Sequence, residues 1–549
     1  MVTSEEIARV PLFASLAPAA RERLSQTSPD IRLAAGEYAV HEGEDRALFV
    51  VLEGMIEAVK VVDGIERKLG ERPPGTVFGE VPITLGTAFP SGFRASEASR
   101  VMQIAAGDYY VLAAAAPEVA VRVGALARQR IGGLQGVAAE PPQARAFLLG
   151  HRWDAACSDL RRFLDRNQIT FEWVTPEAPD AAKRWGGDLP PEGDLPVLRS
   201  AEGGALLVRP SLRAAAELLG LQTAATSPDY DAVVIGAGPA GLAAAVYGAS
   251  EGLRTIVIER EAPGGQAGSS SRIENYLGFP AGVSGDELSR RALQQARRLG
   301  AEILVTRSIS GIDPAARSVH LDGGDELRGA SIILATGVTW RHLAVPGMES
   351  LIGKGIYYGA ARSEAPNTHG LDVHIVGAGN SAGQAALFFA SHARTVTIVC
   401  RGDSLEKSMS QYLVEQVRRK PNISVELGAE VAAVHGGTKL EEIEISRRAG
   451  GEPVRRECGG LFIFIGADAD TAWLPPEIAR DKRGYVLTGA EVAADGGWSE
   501  ERDPFLLETS VPGVFAAGDV RFSPVKRVAA AVGDGSMAIA FVHQYLRMA

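Results

Sequence analysis

Apolar and polar residues follow three different rhythms along this chain. From Ile31 to Lys60, IRLAAGEYAVHEGEDRALFVVLEGMIEAVK alternates with period two and is punctuated by Gly36, Gly43 and Gly54. That pattern predicts short antiparallel strands closing into a small roll or barrel. Helical spacing flanks it, in APAARERLSQ before and PEVAVRVGALARQRIGGL after, and a linker of loose composition follows, GVAAEPPQARA. Residues 145–222 predict a short α/β unit: strand AFLLG, helix ACSDLRRFLDRN, strand TFEWV, then DLPVLRS, ALLV and a last helix. A second linker, TAATSPDY, leads to the third rhythm. From Asp229 onward strands and helices alternate, which predicts a parallel sheet with crossover helices.

Two glycine turns interrupt this last region. In YDAVVIGAGPAGLAAAVYGASEGLRTIVIER an apolar strand runs into Gly236-x-Gly238-x-x-Gly241, and a helix starts at once, with Pro239 and Ala240 at its head. The first glycine permits a tight turn, the second lets a pyrophosphate approach the backbone, and the third lets helix and strand pack closely. The helix N-terminus offers unpaired N–H groups to the phosphate. The next strand ends at Glu259, whose carboxylate can bind a ribose hydroxyl. The second turn reads Gly377-x-Gly379-x-x-Ala382, with Asn380 and Ser381 between, and its following strand ends in Cys400 and Arg401. An arginine there can pair with a 2′-phosphate, which favours NADP over NAD. Two further signals fit a flavin. Ala335-Thr336-Gly337 closes a strand, and Gly518-Asp519 follows one, where the acid can reach a ribityl hydroxyl.

Composition narrows the setting. Over 549 residues, 46% hydrophobic and 22% charged, there is material for several cores, and the net charge of -11 excludes nucleic acid and anionic membranes as main partners. The opening MVTSEEIARVPLF predicts no signal peptide, and no apolar run is long enough for membrane insertion. The three cysteines, Cys157, Cys400 and Cys458, form no C-x-x-C, so neither a disulfide scaffold nor a metal site is expected, and the expected compartment is the cytoplasm.

Residues 229–549 resemble the low-molecular-weight thioredoxin reductase family in GAGPAG, GGQAGSSSRIENYLGFP, ATG, GAGNSAGQAA, FIFIGADADT and AAGDVRFSPVKRVAAAVGDG. The resemblance implies FAD held by the first and last segments, NADPH held by the insert, and a homodimer. The FAD residues it carries over are Gly236, Gly238, Gly241, Glu259, Gly265, Gln266, Asn275, Gly518 and Asp519, with Lys526, Arg527, Val528 and Ala529 lining the flavin ring. For NADPH it carries over Gly377, Gly379, Asn380, Ser381 and Arg401, while Gly402 stands where the family has a second basic residue. Where the family reads C-A-T-C-D, this chain reads Gly359-Ala360-Ala361-Arg362-Ser363. Both redox cysteines and the acid are replaced, so the thiol relay from flavin to disulfide is missing.

The two preceding regions carry resemblances of their own. Residues 9–135 are similar to the cyclic-nucleotide-binding domain of catabolite-activator-type regulators, with Phe78-Gly79-Glu80 at its phosphate cassette. That likeness implies Gly79 and Glu80 as ligand residues, but Phe89 stands where the cassette's arginine belongs, and Arg94 substitutes only if the loop is rearranged. Cyclic nucleotides are expected to bind weakly, and Phe89→Arg to strengthen that binding. Residues 145–222 resemble a glutaredoxin-type thioredoxin fold whose C-x-x-C aligns with Asp154 and Cys157 and whose cis-proline aligns with Pro196. The nucleophilic cysteine is absent, and Cys157 is expected to pack.

The expected fold class is α/β: two interleaved Rossmann-like dinucleotide-binding domains, preceded by a β-roll with helices and a small thioredoxin-like α/β domain. The expected boundaries are 1–135, 145–222, 229–345, 346–470 and 471–549. The expected activity is NADPH oxidation through FAD to a small-molecule or small redox-protein acceptor. Two other readings stay open: thioredoxin-disulfide reduction through an unorthodox thiol, and a non-catalytic flavin-based redox sensor.

Overall fold

The structure is a computed structural model and describes residues 2–62, 65–139, 144–270, 272–280, 282–359 and 362–548. The chain divides into two compact units, Met1–Gln143 and Ala144–Ala549.

The first unit is the expected roll. One antiparallel sheet pairs strands Asp30–Leu33, Ser99–Ala105, Ala47–Glu53 and Val77–Phe78, and a second pairs Tyr38–Val40, Gly92–Ala95, Ile56–Val62 and Ile65–Arg72. Helices Pro18–Thr27, Ala106–Ala115 and Pro117–Ala139 accompany them. The last helix runs through GVAA, which the sequence pattern assigns to a linker. Residues 140–143 of that linker lie outside the described residues.

The second unit begins with a four-stranded sheet in the order Phe171–Val174, Ala146–Leu149, Val197–Ser200, Leu206–Val208, the first pair parallel and the others antiparallel. Helix Ala155–Arg166 packs on it through Cys157, Leu160, Phe163 and Leu164. The Leu195–Pro196 peptide is cis. A short helix, Ala181–Trp185, was not signalled by the sequence pattern.

The remainder forms two lobes. In the first, parallel strands Glu302–Leu304, Thr255–Ile258, Asp229–Ile235, Glu326–Leu334 and Val514–Ala516 lie side by side. The last of these arrives after the whole second lobe, so the lobes interleave. The second lobe is a five-stranded parallel sheet, Ile356–Tyr358, Gly460–Ile463, Asp372–Val376, Thr395–Cys400 and Ile423–Leu427. The two connections between lobes pair with each other, Thr339 opposite Asp468 and Trp340 opposite Ala467. These strands are near-continuous apolar runs because both faces of each sheet are covered, one by helices and the other by chain segments such as 474–478 in the first lobe and strands Ala429–Gly436 and Leu440–Arg447 in the second.

Candidate functional site

At the carboxyl end of strand Asp229–Ile235 the chain turns at Gly236, where φ is +104° and a Cβ would stand 2.5 Å from the Ala335 carbonyl oxygen. Helix Pro239–Ser250 follows, and a Cβ on Gly241 would collide with the Gly236 carbonyl oxygen. These two glycines are required by packing. Gly238 is different: an added Cβ would find only the Gly265 Cα, at 3.9 Å. Its missing side chain leaves clearance above the helix N-terminus, as a dinucleotide needs.

Other segments gather around this clearance. The Glu259 carboxylate accepts from the amides of Ala237 (2.9 Å) and Glu261 (3.0 Å), which fixes it at the lip of the turn. Gly264 donates to the Ala237 carbonyl, and the Gln266 amide bonds to the Val338 carbonyl, just beyond Ala335-Thr336-Gly337. A Cβ on Gly518 would stand 3.0 Å from the Ala240 Cβ. The Asp534 carboxylate accepts from the Gly518 amide (3.0 Å) and from Arg521 (2.9 Å) and so holds the Gly518-Asp519 turn. Burial raises the Asp519 pKa, with Lys526 opposing and Asp534 adding to the shift. Arg527 caps helix Val528–Leu546, which crosses Pro239–Ser250 so closely that a Cβ on Gly535 would collide with the Ala240 carbonyl. Asn275 is exposed on the adjoining segment.

The second turn repeats this logic. A Cβ on Gly377 (φ +139°) would collide with the Phe464 carbonyl, whereas one on Gly379 would meet nothing within 4 Å. Ala382 is fully buried in helix Asn380–Phe389, beside Gly383, whose Cβ would lie 2.8 Å from the Met409 sulfur. Asn380 accepts from the Ser410 amide at 2.7 Å, and Ser408 donates to the Ala378 carbonyl at 2.8 Å. Ser381 is exposed. Arg401 is also exposed, and among the described residues it has no hydrogen-bond or ion-pair partner. The nearby acids are taken: Asp403 pairs with Lys407 and Glu406 with Arg418.

One side chain of the second lobe meets the first lobe close to its glycine turn. Tyr412, two residues beyond the Ser410 that Asn380 holds, interacts across the lobes with Glu274 and lies in the field of Arg527. Burial raises its hydroxyl pKa most, Glu274 adds, and the Gln384 bond and Arg527 oppose. Glu274 neighbours Asn275, and Arg527 belongs to the segment expected against the flavin ring. The sequence pattern marks the segment of Glu274 through its neighbour Asn275 but not Tyr412, because their meeting depends on how the lobes pack.

In the roll, the three candidate ligand residues have other partners. Glu80, 3% exposed, pairs with Arg130 at 2.8 Å. A Cβ on Gly79 would collide with the Ala47 carbonyl and press on the Phe89 ring. Arg94 is held by Glu57 (2.6 Å) and Glu66 (2.8 Å) and lies over the Tyr38 ring. Phe89 is 2% exposed and meets Phe49 and Phe93 edge to face, with Phe78 stacked on both of those rings. Gly79, Glu80 and Arg94 therefore do not converge on an open pocket. Aromatic rings occupy the roll's interior.

Residues 230–535 match the family model of pyridine nucleotide-disulphide oxidoreductases, and residues 30–115 match that of the cyclic nucleotide-binding domain. The chain belongs to the pyridine nucleotide-disulphide oxidoreductase family. The oxidoreductase is 33% identical over 319 residues to thioredoxin reductase of Treponema pallidum, covering 58% of this chain and 97% of that one. It is 32% identical over 320 residues to thioredoxin reductase of Bacillus subtilis, covering 58% of this chain and 95% of that one. Among solved structures, thioredoxin reductase from T. acidophilum superposes with a TM-score of 0.52 at 28% identity, over 58% of this chain and 99% of that one. The Lactococcus lactis enzyme in its FR conformation gives the same score and identity, over 58% and 100%.

The oxidoreductase departs from the resembled family's pattern at the relay. Ala360 and Ala361 lie outside the described residues, but the flanks are defined. Strand Ile356–Tyr358 leads into Gly359, and the turn Arg362–Thr368 carries a buried Glu364. That carboxylate receives Arg161 at 3.2 Å, Ser158 at 3.3 Å and the Asn367 amide at 2.9 Å. Burial, then Glu364, pushes the Tyr357 hydroxyl above its ordinary range. All three cysteines are buried and unpaired. Burial pushes the Cys157 and Cys458 thiols up to about 12, so both stay protonated and non-nucleophilic at neutral pH.

Proposed function

We propose that this oxidoreductase takes electrons from NADPH through FAD and delivers them directly to an acceptor other than a protein disulfide. The meeting of Tyr412 from the second lobe with Glu274 and Arg527 of the first carries this reading. When bound, FAD and NADPH supply hydride transfer from nicotinamide to flavin. The chain's own residues bind and orient. Gly238 and Gly379 leave room for the two pyrophosphates at helix N-termini, and Glu259 accepts from a ribose hydroxyl. The unpaired Arg401 meets the 2′-phosphate, and Lys526 to Ala529 border the flavin ring. Asn380 holds the Ser408–Ser410 segment that presents Tyr412 to the first lobe.

A cavity of about 390 Å³ adjoins Lys526 and is also lined by Arg341, Arg483, Tyr485 and Phe522. Its size and its cationic rim fit a small acceptor such as a quinone or an organic anion. A cytoplasmic homodimer completes the reading. The test is steady-state NADPH consumption with a panel of acceptors: oxygen, quinones, small redox proteins and oxidised thioredoxin. Turnover with a small acceptor and none with thioredoxin is expected. Efficient thioredoxin reduction would overturn the reading, and flavin reduction without turnover on any acceptor would favour a sensor.

A further inference from the structure

The small α/β domain of residues 145–222 lies outside both matched families, and its packing gives it a role. A single helix, Ala155–Arg166, serves three neighbours. Cys157, Leu160, Phe163 and Leu164 bury into its own sheet. Ser158 and Arg161, three residues apart on another face, reach Glu364 of the second lobe, and the Arg161–Glu364 pair is only 3% and 2% exposed. Arg162 and Arg166, four apart on a third face, both meet Glu261 of the first lobe at 3.2 Å, and Arg166 also donates to the Ala262 carbonyl at 2.9 Å.

The attachment extends beyond that helix. On the second-lobe side, Arg152 donates to the Asn367 carbonyl, and a Cβ on Gly353 would stand 3.1 Å from the Ala155 Cβ. On the first-lobe side, Arg213 donates to the Thr306 carbonyl at 2.7 Å, and Val305 is part of the small domain's own core. The contacts at Gly353 on one side and at Glu364 and Asn367 on the other bracket the relay stretch.

We infer that residues 145–222 form a fixed clasp, an electron-carrier fold without an available thiol, which holds the two nucleotide lobes in one fixed arrangement and keeps protein partners off the relay stretch. The inference rests on the NADPH-to-FAD reading above. A buried ion pair whose carboxylate is also bonded by Ser158 and Asn367 gives a defined geometry. Together with the contacts on the first lobe, it opposes rotation of one lobe against the other.

The test is the full-length Ala155→Cys, Gly353→Cys double variant, with Gly353→Ala as the control for the left-handed backbone at 353 (φ +76°). A disulfide is expected to form in air, with flavin reduction by NADPH within about twofold of the dithiothreitol-treated protein. Two results would overturn the clasp: no disulfide, or a loss of about tenfold or more on oxidation that dithiothreitol reverses. If the control does not fold, Arg162→Ala with Arg166→Ala decides the matter. Flavin reduction should slow about tenfold at unchanged FAD content and unchanged NADPH affinity, and an unaltered rate would contradict the clasp. Failure of the parent protein to accept hydride at all would refute the electron-transfer reading instead, since disulfide yield reports docking alone.

Discussion

The roll and the nucleotide lobes both keep the glycine framework of a ligand site, with opposite outcomes. At Gly238 and Gly379 the space a side chain would enter is open. At Gly79 the same space is filled by the Ala47 carbonyl and the Phe89 ring. Both frameworks preserve a backbone path, because a tight turn needs glycine whether or not anything binds there. At Gly238 and Gly379 the described residues leave clearance, and Arg401 beside the second turn has no ion-pair partner among them. A glycine signature therefore reports a fold, and the site must be read from what stands opposite it.

The largest expected effect comes from closing the open cradle. Gly238→Val should abolish FAD binding while leaving the far-ultraviolet circular dichroism unchanged. Gly241→Ala should cost the fold as well, since its Cβ would collide with the Gly236 carbonyl. Flavin content of the purified variants decides both, and a yellow Gly238→Val protein would remove the pyrophosphate assignment.

The roll should respond differently. The resemblance alone implies that Phe89→Arg restores a phosphate contact. The structure corrects this, because Phe89 sits among Phe49, Phe78 and Phe93 and an arginine there would bury an unpaired charge. A loss of several kcal/mol in roll stability is expected, with no gain in cAMP affinity. For the unaltered protein, cAMP and cGMP should leave NADPH oxidation unchanged. Calorimetry showing tight cAMP binding would mean that the aromatic interior opens.

Acid should also separate the two regions. Burial depresses the pKa of His374 in the second lobe from 6.5 to about 4. The unfolded chain binds the proton first, so this lobe's stability falls as pH drops from about 6.5 to 4, by about 3 kcal/mol in all. In the roll, Arg100 holds both Glu6 and Asp30 down to about 2. That contribution is complete above the unfolded carboxyl values and is lost only as pH falls from about 4.5 toward 2. Thermal melts across this range should show the second lobe weakening first, and His374→Phe should flatten its response. A roll that melts first on mild acidification would contradict the assignment.

The smallest effect tests cofactor choice. Arg401→Ala should raise KM for NADPH about tenfold and leave that for NADH nearly unchanged, the size of one charge-assisted contact. An equal change for both would remove the 2′-phosphate role.

The parts legible in the sequence were those fixed by neighbours along the chain. Gly236 to Gly241, the strand ending at Glu259 and the helix after Gly379 are each set within a few residues, and all were readable. Residues whose partners are distant in sequence were not. Glu80 looks like a ribose ligand until Arg130 is seen against it, and Arg94 looks free until Glu57 and Glu66 surround it. Glu364 and Arg161 carried no motif, although their pair joins two domains. The linker GVAA reads as loose, yet the helix from Pro117 continues through Ala139.

The central claim is that the flavin is the chain's sole redox reservoir, and anaerobic titration with NADPH tests it most directly. FAD takes up one hydride equivalent, and an enzyme with a thiol relay takes up a second in its disulfide. Here the flavin should bleach fully with one equivalent of NADPH per FAD, and no further NADPH should be oxidised. Consumption of a second equivalent, with new thiols appearing on denaturation, would show a working relay and contradict the claim.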